Sequence, residues 1–166
     1  MKKILFLLAV FAGSFLMAQD VSSYIELMKS DIRTEKKAIV AEALNLSDEE
    51  SSAFWPVYND YEYELNKIVD QEIALIKEYA MVYDRLTPEK AEELVNKSFK
   101  LQESRIKLKK KYFKKLKKVI SPISAAKFIQ VENQINNLVD LQIASELPLI
   151  EKPETMPEVK KGSSLK

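Results

Sequence analysis

The sequence predicts an all-α protein built from four helices, and three observations support this fold class. The 166-residue chain contains only two glycines, so it has few sites for tight turns. It contains no cysteine, so the fold must be held by packing rather than by disulfide bonds. Apolar residues recur at helical spacing over long segments, and hydroxyl residues and prolines mark where these segments begin.

The first 18 residues have the layout of a secretory signal peptide. Two lysines precede an uncharged apolar run, Ile4–Met17, and Ala18 offers a small residue for cleavage before Gln19. The run of about 14 residues is shorter than the roughly 20 that a membrane-spanning helix needs. We therefore expect export across a membrane and cleavage near Ala18 and Gln19.

Four helices are predicted in the rest of the chain. The first runs from about Ser22 to Leu44, and one of its faces carries Val21, Ile25, Met28, Ile32, Ile39 and Ala43. The second runs from Ser47, which forms a capping pattern with Glu50, to about Asp84. The third runs from Thr87 to about Val119, and the fourth from Ser121 to about Glu146; a proline follows the cap of each.

The second and third helices are predicted to form an antiparallel hairpin, because only about three residues connect them. Each helix would exceed about 30 residues, or roughly 45–55 Å at 1.5 Å per residue. So long an arm has too little chain around it to be covered completely. We therefore expect exposed apolar surface or a partner subunit.

The domain organisation is expected to be simple. Residues 1–18 form the signal peptide, and residues 19–147 form one helical domain. Residues 148–166 combine three prolines, a glycine and many charges, and they are predicted to be a disordered tail.

A wide aromatic and aliphatic arc on the second helix is the first candidate for contact with a client or partner protein. Its N-terminal part carries Phe54, Trp55, Tyr58 and Tyr61. Tyrosine suits a surface that is apolar but intermittently wet, and an arc this wide can contact more than one neighbour. The alternative interpretation is plain packing in the core.

The third helix carries a basic face. Residues 100–118 include ten basic residues and one acidic residue. Five lysines of the outer arc are candidates for binding an anionic partner: Lys107, Lys110, Lys111, Lys114 and Lys118. The alternative is a solvated face. Export argues against nucleic acid, which leaves acidic stretches of unfolded protein or an anionic membrane surface.

Glu72 and Arg105 interrupt the apolar faces of the second and third helices. In a hairpin that turns near Leu86 and Thr87, the two residues lie about one turn apart on facing surfaces, within reach of an arginine side chain. We therefore predict a structural ion pair, because an unpartnered carboxylate in an apolar contact would be costly. The same register predicts a second pair at the edge, between Glu64 and Lys109.

No catalytic constellation is visible in the sequence. The chain has neither histidine nor cysteine, which excludes the commonest general base, thiol chemistry and the usual zinc and copper ligands. We expect no enzyme activity, no cofactor and no tight zinc or copper site. A carboxylate metal site stays open at this stage.

Two short segments carry a resemblance to a known family. The first is Leu46–Glu50 followed by Phe54-Trp55-Pro56, and the second is Ile120–Ser124 followed by residues 125–128, AAKF. Both segments resemble the LTxxQ-type motif of the Spy/CpxP family of periplasmic chaperones and envelope-stress sensors, and the similarity covers roughly residues 44–147. The family's threonine is serine in both segments, and its glutamine is Glu50 in the first and Ser124 in the second.

The resemblance implies a cradle-shaped helical homodimer in the periplasm that binds unfolded or envelope proteins without ATP, as a chaperone or a stress sensor. One alternative is a regulatory partner dedicated to a membrane-bound sensor or anti-sigma component. Another is a Skp-like envelope scaffold, although no strand pattern supports its β body. Suppression of aggregation of unrelated denatured proteins would separate the first two functions.

Overall fold

The computed structural model describes residues 35–150, and within them the predicted all-α class is confirmed: four helices and no strand are present. Residues 35–44 belong to α1. They are followed by α2 at Asp48–Val82, a 3-10 turn at Tyr83–Arg85, α3 at Pro88–Leu116 and α4 at Pro122–Glu146. The predicted signal peptide, the first part of the first predicted helix and most of the predicted tail lie outside the described residues.

The three predicted helix caps are confirmed. The hydroxyl groups of Ser47, Thr87 and Ser121 each accept a hydrogen bond from the backbone N–H three residues ahead, at 3.2, 3.2 and 3.0 Å respectively. Each bond satisfies a backbone donor that a helix start leaves without an intrahelical partner. The Glu50 carboxylate also accepts a hydrogen bond from the backbone N–H of Ser121 at 3.3 Å, which joins the starts of α2 and α4.

A short turn reverses the chain between α1 and α2. Its first residue, Asn45, has φ of 46°, and its N–H donates to the carbonyl oxygen of Ala41 at 3.1 Å. Asparagine tolerates this left-handed conformation better than other non-glycine residues, so the turn needs no glycine. The three-residue connection places α1 antiparallel to α2.

The main core lies at the end of the molecule opposite the α2–α3 turn, here called the closed end. There α1, the first half of α2, the last half of α3 and the first half of α4 meet around Tyr61, Tyr112, Phe54 and Phe128, all at most 1% exposed. Phe128 makes edge-to-face contacts with Phe54 and Tyr61 at centroid distances of 5.6 and 5.4 Å. Such contacts add to the stabilisation from burying the rings.

Two details of the sequence prediction are wrong. The α1 face that packs on the core is formed by Lys36, Val40 and Leu44, while Ile39, expected on the apolar face, is 44% exposed. Residues 38–44 are all apolar except Glu42, so the sequence there does not single out one face of the helix. Helices α2 and α3 also end two or three residues earlier than predicted, because the 3-10 turn follows Val82 and a turn follows Leu116.

Candidate functional site

The predicted aromatic contact surface lies mostly inside the protein, which corrects that prediction. Phe54, Tyr58 and Tyr61 belong to the core at the closed end, with exposures of 0–4%. Trp55 is half-buried against this core, and its indole N–H donates to Ser51 Oγ at 2.9 Å. The arc is wide because α2 packs against α1, α3 and α4 at once, so plain core packing accounts for these residues.

A buried ion cluster joins α1 to α2 and α4, and the sequence interpretation missed it. The Lys36 ammonium donates to Glu62 Oε1 at 2.7 Å and to Glu132 Oε2 at 3.0 Å, and it lies 2.9 Å from Glu132 Oε1. The Tyr61 hydroxyl donates to Glu132 Oε2 at 2.8 Å. Burial and the neighbouring Glu132 raise the pKa of Tyr61, so this hydroxyl stays a donor.

Part of this cluster could have been found from the sequence. Glu132 falls on the inner stripe of α4, between Phe128 and Ile135, where a lone carboxylate requires a cation. Lys36 gave no such indication, because a lysine on a helix is ordinarily solvated.

The five predicted lysines are all exposed: four lie on the outer surface of α3, and Lys118 lies in the turn that follows it. Lys111 is the one with an ion-pair partner on another helix: its ammonium lies 2.7 Å from Glu64 Oε1 on α2. Lys107 lies 3.6 Å from Glu103 one turn away, and both side chains are largely exposed. The remaining lysines of this set present their charge to solvent.

Exposed apolar side chains run beside these lysines on the same helix. Val95, Phe99 and Ile106 are 45%, 56% and 52% exposed, and the spacing of four and then seven residues keeps them on one line along α3. The half-buried Phe113 continues this line toward the core. Together with the lysines they form a surface, here called the α3 outer surface, that is both apolar and basic.

The pairing of Glu72 with Arg105 is present in the structure. The guanidinium donates from Nε at 3.1 Å and from Nη2 to the two oxygens of the Glu72 carboxylate. The two side chains are 24% and 16% exposed, so the pair lies at the edge of the hairpin contact rather than deep inside it.

The predicted pair between Glu64 and Lys109 is wrong. Glu64 instead binds the Lys111 ammonium and the Tyr112 hydroxyl, both at 2.7 Å, and Lys109 donates to Asn133 Oδ1 on α4 at 2.8 Å. Side chains lean toward the N-terminus of their own helix, so in an antiparallel pair an α3 residue reaches toward the turn. The residue that meets Glu64 therefore lies two positions farther from the turn than backbone opposition suggests.

A cavity of about 570 Å³ opens between the hairpin and the second half of α4, on the side of the α2–α3 turn. The half of the hairpin that contains this turn is here called the far half. We call the cavity the distal groove. Its lining is mainly aliphatic: Leu65, Val69, Ile73, Leu75, Ile76, Leu101, Ile135, Val139, Ile143 and Leu147. Charged residues also line the groove. Lys36 and Glu62 border one end, and Glu72, Arg105 and Asp140 lie farther along.

Other site types find no support within residues 35–150. No helix there is both long and apolar enough to cross a membrane, and no group of three or more acidic residues is placed to hold a metal ion. Comparisons of the chain with protein-family models, with curated proteins and with solved structures found no match. The resemblance to the Spy/CpxP family therefore stays a prediction.

Proposed function

We propose that this protein is an exported, ATP-independent binding protein for unfolded or envelope proteins, acting in the periplasm as a chaperone or stress sensor. The observation that carries the proposal is the α3 outer surface. Val95, Phe99 and Ile106 offer apolar contact beside a row of lysines, and large exposed apolar patches mark interaction sites. Unfolded clients expose apolar side chains and acidic stretches together, and this surface complements both.

Electrostatic attraction would set how fast a client is captured, and apolar contact how long it stays bound. Exposed lysines that have no partner nearby act mainly through long-range attraction, which raises association rates. Apolar burial acts on dissociation once the client is in place. The two parts of the α3 outer surface can therefore be tested separately.

The test is suppression of aggregation of unrelated denatured proteins, run with a measured oligomer mass. The double variant Phe99→Ala with Ile106→Ala should bind clients several-fold more weakly, and Leu138→Ala with Leu141→Ala is the matched control. Those leucines are 68% and 69% exposed on α4, away from the lysines. Equal loss from both variants, or no suppression by the parent protein, would contradict the proposal.

The lysine part is tested by changing Lys107, Lys110, Lys111, Lys114 and Lys118 to glutamine. Client capture should slow at low salt, and the difference should shrink as salt rises, because exposed charges are screened beyond about 10 Å at 0.1 M. Capture unchanged at low salt would leave these lysines as a solvated face.

A dedicated regulatory partner is the second candidate function. Such a protein would use the same surface for one membrane-bound sensor or anti-sigma component and would not protect unrelated clients. A homodimer is also part of the proposal, since exposed apolar side chains outside the α3 outer surface, such as Tyr63, Met81 and Ile123, leave surface for a second copy. If the Phe99 and Ile106 variant halves the measured mass, the line on α3 is the contact between copies instead.

A further inference from the structure

The distal groove has two defined ends. At one end lies the Lys36 ammonium, which pairs with Glu62 on α2. At the other end Leu147 lines the groove, and the carbonyl oxygen of the next residue, Pro148, accepts a hydrogen bond from the Tyr79 hydroxyl at 2.7 Å. This hydrogen bond ties the end of α4 to α2. The groove is therefore bounded along its length rather than open at both ends.

The groove exists because α4 packs against α3 but not directly against α2. No Cα atom of α4 lies within 8 Å of a Cα atom of α2. At the closed end, the rings of Phe54, Tyr61 and Phe128 fill the space between these two helices. Farther along, the side chains that line the space are smaller aliphatic ones, such as Val69 and Val139. A separation that suits aromatic rings therefore leaves a cavity in the far half.

The lining of the groove suits an alkyl chain. Its apolar side chains are leucine, isoleucine, valine and alanine, and none of the described residues that line it is aromatic. Branched aliphatic side chains make close contacts with methylene groups but offer no ring for stacking. The cavity of about 570 Å³ has the size of small-molecule sites, which span about 300–1,000 Å³. Along α4 the lining from Ile135 to Leu147 is about 18 Å long at 1.5 Å per residue, which suits a medium-length acyl chain.

One hydrogen-bond donor in this lining has no partner. The side-chain nitrogen of Asn136 is buried and donates to no acceptor within residues 35–150. A buried N–H group without an acceptor costs free energy, so a ligand that brings an acceptor to this point is favoured. Asn136 lies one helical turn along α4 from Glu132, the partner of Lys36, and therefore near the Lys36 end of the groove. The acceptor should accordingly belong to the head of the ligand, with the alkyl tail beyond it.

The charges in the lining favour an uncharged head. Both cations, Lys36 and Arg105, are already paired with carboxylates, and Asp140 adds a further negative charge. A carboxylate on the ligand would therefore lose its hydration without gaining a free cation among the described lining residues. The carbonyl oxygen of an ester accepts a hydrogen bond without carrying a charge.

We propose that the distal groove binds an uncharged single-chain acyl lipid. The ester carbonyl oxygen accepts a hydrogen bond from the Asn136 side chain, and the alkyl tail lies along the aliphatic lining toward Leu147. The site is separate from the α3 outer surface, so this proposal does not rest on the proposed function.

The first test compares three ligands on the unmodified full chain by titration calorimetry, below the concentration at which each ligand forms micelles. Glycerol monododecanoate should bind saturably, with one molecule per chain. Glycerol monododecyl ether keeps the tail and the glycerol but lacks the carbonyl group, and it should bind several-fold more weakly. The dodecanoate anion should also bind more weakly, because it meets no free cation. Absence of saturable binding of the ester, or equal affinity for all three ligands, would overturn the proposal.

The second test places the ligand with paired variants. Val139→Trp fills the groove and should weaken binding of the ester at least about tenfold, since even one methylene group in an apolar pocket is worth about that much. Leu138→Trp adds the same ring at the neighbouring position, which is 68% exposed, and should leave binding unchanged. Asn136→Leu should abolish the preference for ester over ether, whereas Asn137→Leu, at an exposed position, should keep it.

The preference for ester over ether is a ratio measured on one protein, so a general loss of stability in a variant does not by itself remove it. Equal effects of the two tryptophan substitutions would show that the ligand binds elsewhere. An ester preference that survives in Asn136→Leu would show that this side chain does not hold the carbonyl oxygen. Either result would overturn the proposal.

Discussion

The two halves of the hairpin are stabilised in different ways. At the closed end, aromatic rings from α2, α3 and α4 are almost fully buried, and they enclose a carboxylate, Glu132, that is 0% exposed. In the far half, the buried side chains of α2 and α3 are Ile73 and Leu94, and contacts there depend more on ion pairs such as Glu78 with Lys90 and Lys97. A substitution in the far half should therefore lower the free energy of unfolding less than the same substitution at the closed end.

The largest effect is expected from Lys36→Met, since this change leaves Glu132 buried without its cation. Removing one partner of a buried pair costs about 3–5 kcal/mol of unfolding free energy, which urea denaturation can measure. The double variant Lys36→Met with Glu132→Leu should recover most of this loss, because no buried charge remains.

Lys37→Met is the control on the same helix, with an exposed side chain. It should cost less than about 1 kcal/mol. A double variant as unstable as the single one would mean that packing or the Tyr61 hydroxyl, rather than charge pairing, makes Lys36 important.

The same substitution in each half compares the two directly. Leu116→Ala removes a side chain that is 1% exposed in the core, and it should cost about 3–5 kcal/mol through lost burial and the cavity that remains. Leu101→Ala removes a half-buried side chain lining the distal groove and should cost less than about 2 kcal/mol. Equal costs in urea denaturation would show that the far half is packed as tightly as the closed end.

The sequence predicted the helices, their caps and the hairpin because each depends on local patterns. Ser47, Thr87 and Ser121 cap the helices where their spacing placed them, and the hairpin register brought Arg105 to Glu72. Local patterns could not show whether the wide apolar arc of α2 is buried or exposed, because this depends on how many helices surround α2. The Lys36 cluster also joins residues 96 positions apart, a separation that no local pattern encodes.

An intermediate effect is expected at the boundary between the halves, where Glu72 meets Arg105. Both side chains are partly exposed, so the pair falls between an exposed pair, worth about 0–1 kcal/mol, and a buried pair, whose disruption costs about 3–5 kcal/mol. Glu72→Ala and Arg105→Ala should each cost about 1–2 kcal/mol. The double variant should cost less than their sum, and additive costs would exclude an energetic coupling between the two groups.

The smallest effect is expected in the far half, as a dependence of stability on pH. The Lys97 and Lys90 ammonium groups hold the pKa of Glu93 at about 2, and Lys90 and Lys97 lower that of Glu78 from its usual 4.5. These carboxyl groups bind protons more weakly in the folded than in the unfolded protein. Their stabilisation is therefore complete above about pH 4.5 and is lost as the pH falls toward about 2.

The double variant Glu78→Gln with Glu93→Gln should lose less stability than the parent protein between pH 4.5 and 2, measured by urea denaturation at each pH. Both carboxylates and both lysines are on the surface, so 1 M salt, with a screening length of about 3 Å, should bring the two profiles together. Profiles that already run parallel at low salt would mean that these ion pairs do not hold the far ends of α2 and α3 together in solution. The far half would then depend on the aliphatic contacts that α2, α3 and α4 make around the distal groove.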